Sequence, residues 1–309
     1  MKHLLIILSF LLLFSFISIS CSKSSDDDIT SSTVSVVSVG ESGTILTSSD
    51  GTTWTKRTSG TSRYLRGVTY GNSTFVTVGD NGTILTSTDG TSWTERTSGT
   101  SNTLNRVTYG NGTFVTVSWE GTILTSTDGT SWTERTSGTS NTLMGVTYGN
   151  STFVVVGSGG TILTSSDGVT WTSRTSGTSN SLYGVTYGNS TFVTVSESGT
   201  IITSPDGTSW TERTSGTSNI LIGVTYGNGL FVTVGWEGTI LTSSDGITWT
   251  ERTSGTSKYL LGVNYGNGLF VTVGYLGYSG TIFTSTDGTS WTKRTSGTSN
   301  TLIGVTYSQ

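Results

Sequence analysis

Between Leu104 and Thr136 the chain passes through four short bursts of apolar and β-branched residues. They are Leu104 to Tyr109 (L-N-R-V-T-Y), Thr113 to Val117 (T-F-V-T-V), Thr122 to Ser126 (T-I-L-T-S) and Ser131 to Thr136 (S-W-T-E-R-T). Each is too short for a stable helix and rich in Val, Ile, Thr, Tyr, Phe or Trp, so each predicts a strand. Gly110-Asn111-Gly112 separates the first pair and Asp128-Gly129 the last pair. Asn-Gly and Asp-Gly accept positive φ and therefore suit tight hairpin turns. The same text recurs along the chain: Trp54, Trp93, Trp132, Trp171, Trp210 and Trp249 are 39 residues apart, and Trp291 follows after 42. One such unit cannot bury a core alone, so the units must stack. Seven four-stranded antiparallel units with a period near 40 predict an all-β fold, a seven-bladed β-propeller. A β-helix would have shorter coils without these hairpins.

The ends of the array predict how the ring closes. The repeats span 34–309, opening at Val34 with a second strand (V-S-V-V-S-V) and ending with a first strand, Leu302 to Tyr307 (L-I-G-V-T-Y). The C-terminal strand thus completes the first blade, which leaves no unpaired end blade.

The turn between third and fourth strands reads S-x-D-G-x-x-W and carries Asp50, Asp89, Asp128, Asp167, Asp206, Asp245 and Asp287. It resembles the Asp box of bacterial neuraminidase repeats, which lies at the same place in those propellers. It departs from the usual form in lacking a residue between Asp and Gly, and Pro205 takes the middle position of one copy. Propellers with such boxes include sialidases, sortilin-type receptors and photosystem II assembly factors, so the resemblance implies a fold and leaves activity open. From the residues alone the Asp is structural, because its carboxylate can accept backbone N–H groups across the turn, while the Trp supplies buried surface. Seven copies in seven blades cannot all be catalytic. The Arg within the fourth strand, just before the constant Thr-Ser-Gly-Thr-Ser (Arg57, Arg96 and their equivalents), is constant too, and reads as a blade component bonded to a neighbouring group.

Variation between copies is concentrated in two places. One is the loop after the second strand: Glu41-Ser42, Asp80-Asn81, Trp119-Glu120, Ser158-Gly159, Glu197-Ser198, Trp236-Glu237 and an expanded segment holding Tyr275 and Tyr278. The other is the start of the first strand, where one position is Arg66, Asn105, Met144, Tyr183, Ile222, Leu261 and Ile303, with Tyr64, Arg106 and Tyr259 nearby. In an antiparallel meander these two sets share one edge, and with the first strand innermost they surround the channel mouth. Binding groups ride on loops held by a rigid scaffold, so this diversified face is the expected site. The candidate ligand-binding residues are Trp119, Glu120, Trp236, Glu237, Arg66, Asn105, Arg106, Tyr183, Asp80, Glu197, Tyr275 and Tyr278. An exposed Trp beside a carboxylate suits a sugar and equally suits a protein partner. Neutral drift accounts for scattered Ser, Asn and Gly there, but less well for repeated Trp and Tyr, which harm solubility.

The N-terminus lies outside the array. In residues 1–21 Lys2 precedes an apolar run from Leu4 to Ile19, too short and too terminal for a membrane span, so it predicts a secretory signal. A small residue directly before Cys21, the chain's one Cys, resembles a bacterial lipoprotein signal, with Ser18 standing where Leu is preferred. The resemblance implies lipidation of Cys21 and a membrane anchor; an ordinary cleaved signal is the alternative. Residues 22–33 are polar and acidic, a flexible tether, and Ser25-Asp26-Asp27-Asp28 resembles the acidic tag of some bacterial outer-surface lipoproteins. The expected place is the outer membrane, at the cell surface, or else facing the periplasm.

Composition narrows the chemistry. The one His, His3, lies in the signal, so no Cys/His metal site and no His-based acid–base catalyst is expected in the array. No cofactor is expected. Loss of residues 1–21 changes the formal charge from −4 to −5, and an acidic chain without a basic run is a poor nucleic-acid binder. The first functional reading is therefore a non-catalytic, lipid-anchored, monomeric propeller that binds a glycan or protein. The second is a periplasmic scaffold resembling the photosystem II assembly factors. A sialidase-like glycosidase is the third, since Arg66, Arg106, Tyr183, Glu120 and Asp80 contain its residue types without its long pocket-forming loops. An array amplified with little selected function is the remaining reading.

Overall fold

The computed structural model describes residues 34–275, 277 and 279–308. The expectations for the signal, Cys21, the tether and Tyr278 lie outside those residues. Seven four-stranded antiparallel sheets follow one another around a closed ring. In the third blade the strands are Leu104–Gly110, Thr113–Ser118, Ile123–Ser126 and Thr133–Arg135. The fourth strand is half the expected length. Ser131 and Trp132 belong instead to the Asp turn, where the Trp132 indole N–H donates to the Gly129 carbonyl at 3.0 Å.

Local chemistry fixes each turn. Asn111 (φ 47°) and Gly112 (φ 74°) are both left-handed, the geometry a two-residue hairpin between right-twisted strands requires. In the Asp turn one Asp128 oxygen accepts the Thr130 and Ser131 amides at 2.8 and 2.9 Å. Ser126 donates its hydroxyl to the same carboxylate and accepts the Gly129 amide at 2.8 Å. The equivalent pair of amide bonds recurs at Asp50, Asp89, Asp167, Asp206, Asp245 and Asp287. At Asp167 these N–H donors lower the carboxyl to about 2, and at Asp128 and Asp206 the Thr130 and Thr208 hydroxyls lead the same downward shift. The constant Arg also serves its own blade: Arg57 Nε donates to Thr47 Oγ1 on the adjacent third strand at 2.8 Å, and Arg135 does the same to Thr125 at 2.9 Å.

The core lies between blades. Each of seven clusters joins the second and third strands of one blade to the first and second of the next, as in Val115, Val117, Ile123, Leu143, Phe153 and Val155. Phe153 is fully buried, with Tyr148 at 4.6 Å and Trp171 at 6.4 Å between ring centroids. Burial of a Phe side chain contributes roughly 1.5–3 kcal/mol. The repeated Trp is half-buried, packing on the edge of these clusters rather than inside them. Blades approach closely where Gly ends the first strand: a Cβ at Gly149 would lie 2.2 Å from the Tyr187 ring of the next blade.

The ring closes as the ends predict. Leu302–Tyr307 pairs antiparallel with Val36–Gly40, placing Val36 opposite Tyr307 and Val39 opposite Gly304. Tyr307 also donates its hydroxyl to the Leu269 carbonyl of the seventh blade at 2.9 Å, and burial pushes its phenol well above the ordinary value.

Candidate functional site

The first strands of all seven blades surround a central cavity of about 210 Å³. Their starting residues form its mouth, and the loops after the second strands stand around it. In six blades that loop is a three-residue 3₁₀ turn, for example Trp119–Gly121 and Trp236–Gly238. Its middle residue is left-handed in every copy: Ser42, Asn81, Glu120, Gly159, Ser198 and Glu237 have φ between 51° and 61°. A non-glycine residue there carries strain, and Glu is a less natural occupant than Asn or Gly. The turn is tied to the lead-in of its own first strand, as in Asp80 N–H to Tyr64 O at 2.9 Å. It is tied to the next blade as well, as in Gly82 N–H to Asn102 O at 2.9 Å. Loop and strand start therefore share one surface.

Two side-chain groups face each other across this mouth. At blades two and three, Arg66 forms an ion pair with Asp80 and lies over the Trp119 ring, 5.9 Å from its centroid. Trp119 is 49% exposed despite that contact. Arg106 lines the cavity beside them, and its Nη1 donates to the Arg66 carbonyl at 2.8 Å and the Asn105 carbonyl at 3.0 Å. Desolvation in the channel, helped by the Arg66 charge, lowers the Arg106 guanidinium to about 10. At blades six and seven, Trp236, Tyr259 and Tyr275 pack in sequence as tilted rings, with centroids 4.8 and 5.0 Å apart. The seventh blade supports them with longer strands, Tyr259–Gly266 and Leu269–Tyr275, which put Tyr259 opposite Tyr275. Trp236 remains 40% exposed.

The other sequence candidates divide by how far their polar groups are already engaged. Glu120 and Glu237 are exposed beside their Trp. Glu197 Oε1 accepts the Ser181 amide at 2.7 Å, as Glu41 Oε2 accepts the Thr301 amide at 3.1 Å, so both carboxylates brace the backbone. Asn105 is buried, with its amide donating to the Leu143 carbonyl of the next blade at 2.8 Å. Tyr183 lines the cavity, and burial, then the nearby Glu197 charge, raises its phenol. Tyr275 is raised by burial first and then by Tyr259 and Glu41. Tyr259 joins this surface although it is not among the residues the sequence singles out. Its place at the head of a first strand was the available signal, but the contact with Trp236 depends on which way each ring points. Among the described residues no group of three His, Cys, Asp or Glu side chains is placed to hold a metal ion.

No family model matches the chain, and no curated protein sequence matches it either. Solved structures do. YCF48 bound to a D1 peptide is 18% identical, with 78% of this chain and 88% of that one covered and a TM-score of 0.62. YCF48 from Cyanidioschyzon merolae is 17% identical over 74% and 84% of the two chains, with a TM-score of 0.58. Virginiamycin B lyase from Staphylococcus aureus is 15% identical over 75% and 84%, with a TM-score of 0.69. At such identities the likeness establishes the propeller fold and nothing finer.

Proposed function

We propose that the chain is a non-catalytic binding propeller that takes a glycan or protein ligand on its channel-mouth face. The observation that carries this reading is the exposure of Trp119 and Trp236 on the surface where the copies differ. Exposed Trp costs solubility unless something covers it, and here each stands beside an exposed Glu. An indole face covers the apolar side of a sugar while a carboxylate accepts its hydroxyl protons, so a glycan is the first ligand to test. Catalysis is disfavoured because Asp80 pairs with Arg66 and Glu197 caps Ser181, so that neither carboxylate is free to serve as acid or base. In cells, lipidation at Cys21 would hold the ring at the outer membrane, and Cys21→Ser should release it to soluble fractions. Glycan-array binding by the purified protein beside a Trp119→Ala/Trp236→Ala variant tests the function. Selective binding that the double variant loses supports it, and a folded wild type that binds no glycan removes the sugar reading.

A protein ligand, in a scaffold role, is the second reading. What favours it is the similarity to YCF48, whose solved structure holds a D1 peptide. Pull-down of a specific partner by the wild type but not the double variant would move the assignment there.

A further inference from the structure

Six of the seven first strands carry Gly at one position: Gly67, Gly145, Gly184, Gly223, Gly262 and Gly304. The third blade carries Arg106. The position is crowded, because a Cβ at Gly67 would come within 2.9 Å of the Arg106 backbone and one at Gly184 within 2.5 Å of the Ile222 carbonyl. A guanidinium there lies along the channel wall. Its Nη1 is taken by two carbonyls, while Nε and Nη2 have no protein hydrogen bond among the described residues. No described carboxylate pairs with it, since Asp80 is engaged by Arg66. A half-buried cation without a counter-charge is costly to hold, and an anion is the group that would offset the cost.

The rest of the cavity narrows the kind of anion. Ile222, Leu261 and Ile303 form an apolar arc on three neighbouring blades of the same cavity, with Tyr183 beside them, in a lining that is otherwise mostly polar and includes Thr108, Thr147 and Asn264. At about 210 Å³ the cavity is smaller than a pocket for a whole drug-sized ligand, so it accommodates a terminal group.

We propose that the channel mouth captures a carboxylate carried on a short apolar group, with Arg106 binding the carboxylate and the Ile222–Leu261–Ile303 arc covering the apolar part. Both a free short-chain acid and the C-terminal residue of a polypeptide present this chemistry. The proposal rests on the reading of this face as the ligand side. Its test leaves Trp119 and Trp236 intact, so the two can fail separately.

Arg106→Gly is the informative variant because it restores the residue found in six other blades, and an unchanged Tm would confirm that it folds. The full-length protein in detergent is titrated calorimetrically with butyrate, butyramide and N-acetylvaline. Saturable binding of butyrate or N-acetylvaline, at least tenfold weaker in Arg106→Gly and undetected for butyramide, is the expected result. Butyrate binding alone would identify a free acid as the source, and N-acetylvaline binding a chain terminus. No saturable heat from either acid up to ~10 mM, in the weak millimolar range, would overturn the proposal. Equal binding by Arg106→Gly would overturn it too.

Discussion

Thr194 offers a test of the packing account in which two equivalent substitutions should have opposite signs. On the second strand of most blades a buried hydroxyl donates to the carbonyl of the paired first strand. Thr77 bonds to Gly67 O, Thr116 to Arg106 O, Thr233 to Gly223 O and Thr272 to Gly262 O, all at 2.9 Å, and Ser38 bonds to Gly304 O at 3.0 Å. Thr194 occupies the same place in the fifth blade, fully buried, yet its hydroxyl has no partner among the described residues. In the fourth blade the place is held by Val155, also fully buried, so the site accepts a methyl in place of the hydroxyl. A buried hydroxyl without a partner costs about 1–3 kcal/mol, and a satisfied one contributes about 1 kcal/mol. Thr194→Val should therefore stabilise the ring by about 1 kcal/mol, while Thr77→Val should destabilise it by about the same. For a domain of this size each kcal/mol moves Tm by about 2 °C, which separates the two variants by about 4 °C. Calorimetric melting of both variants beside the wild type reads the difference. Equal destabilisation by Thr194→Val and Thr77→Val would refute the assignment of an orphaned hydroxyl.

Other outcomes follow from the same structure. Phe153→Ala removes a fully buried ring from one blade interface and should cost about 3–5 kcal/mol, visible as a lower denaturant midpoint. Gly149→Ala places a methyl against the Tyr187 ring and should cost about 1–3 kcal/mol by overpacking, measured the same way. The Asp turns govern acid stability. Asp167 falls from its ordinary 3.8 to about 2 in the fold, so its contribution is complete above 3.8 and lost as pH falls through 2. Tm should therefore drop between pH 4 and pH 2, and Asp167→Asn should flatten part of that fall; an unchanged slope would show that this carboxylate carries none of it.

Repetition made most of the architecture legible. Period, strand order and closure by Leu302 to Tyr307 follow from turn dipeptides and strand patterning, which are local properties. The Asp turn was legible for the same reason, since Asp128 bonds to Ser126, Thr130 and Ser131, all within three positions of it. What the pattern could not convey is which distant groups the side chains reach, across blades or within one. Tyr259 joins Trp236 through the orientation of two rings from different units. Asn105 looks like a free amide in the sequence but reaches the next blade's backbone. Glu41 and Glu197 read as loop carboxylates, whereas their side chains fold back onto Thr301 and Ser181 amides. Alternation places a residue at the mouth; it does not say whether its polar atoms are already engaged.

The central claim is that ligand binds at the channel mouth and not at the Asp-turn face, which also exposes two apolar residues, Val169 and Ile247. Affinity for the ligand identified in the screen should be compared between Trp119→Ser/Trp236→Ser and Val169→Thr/Ile247→Thr. The second pair restores the Thr of the other copies and should bind as the wild type does. The first should bind at least tenfold more weakly. Loss of binding in the Val169/Ile247 variant, with the Trp variant unaffected, would contradict the account.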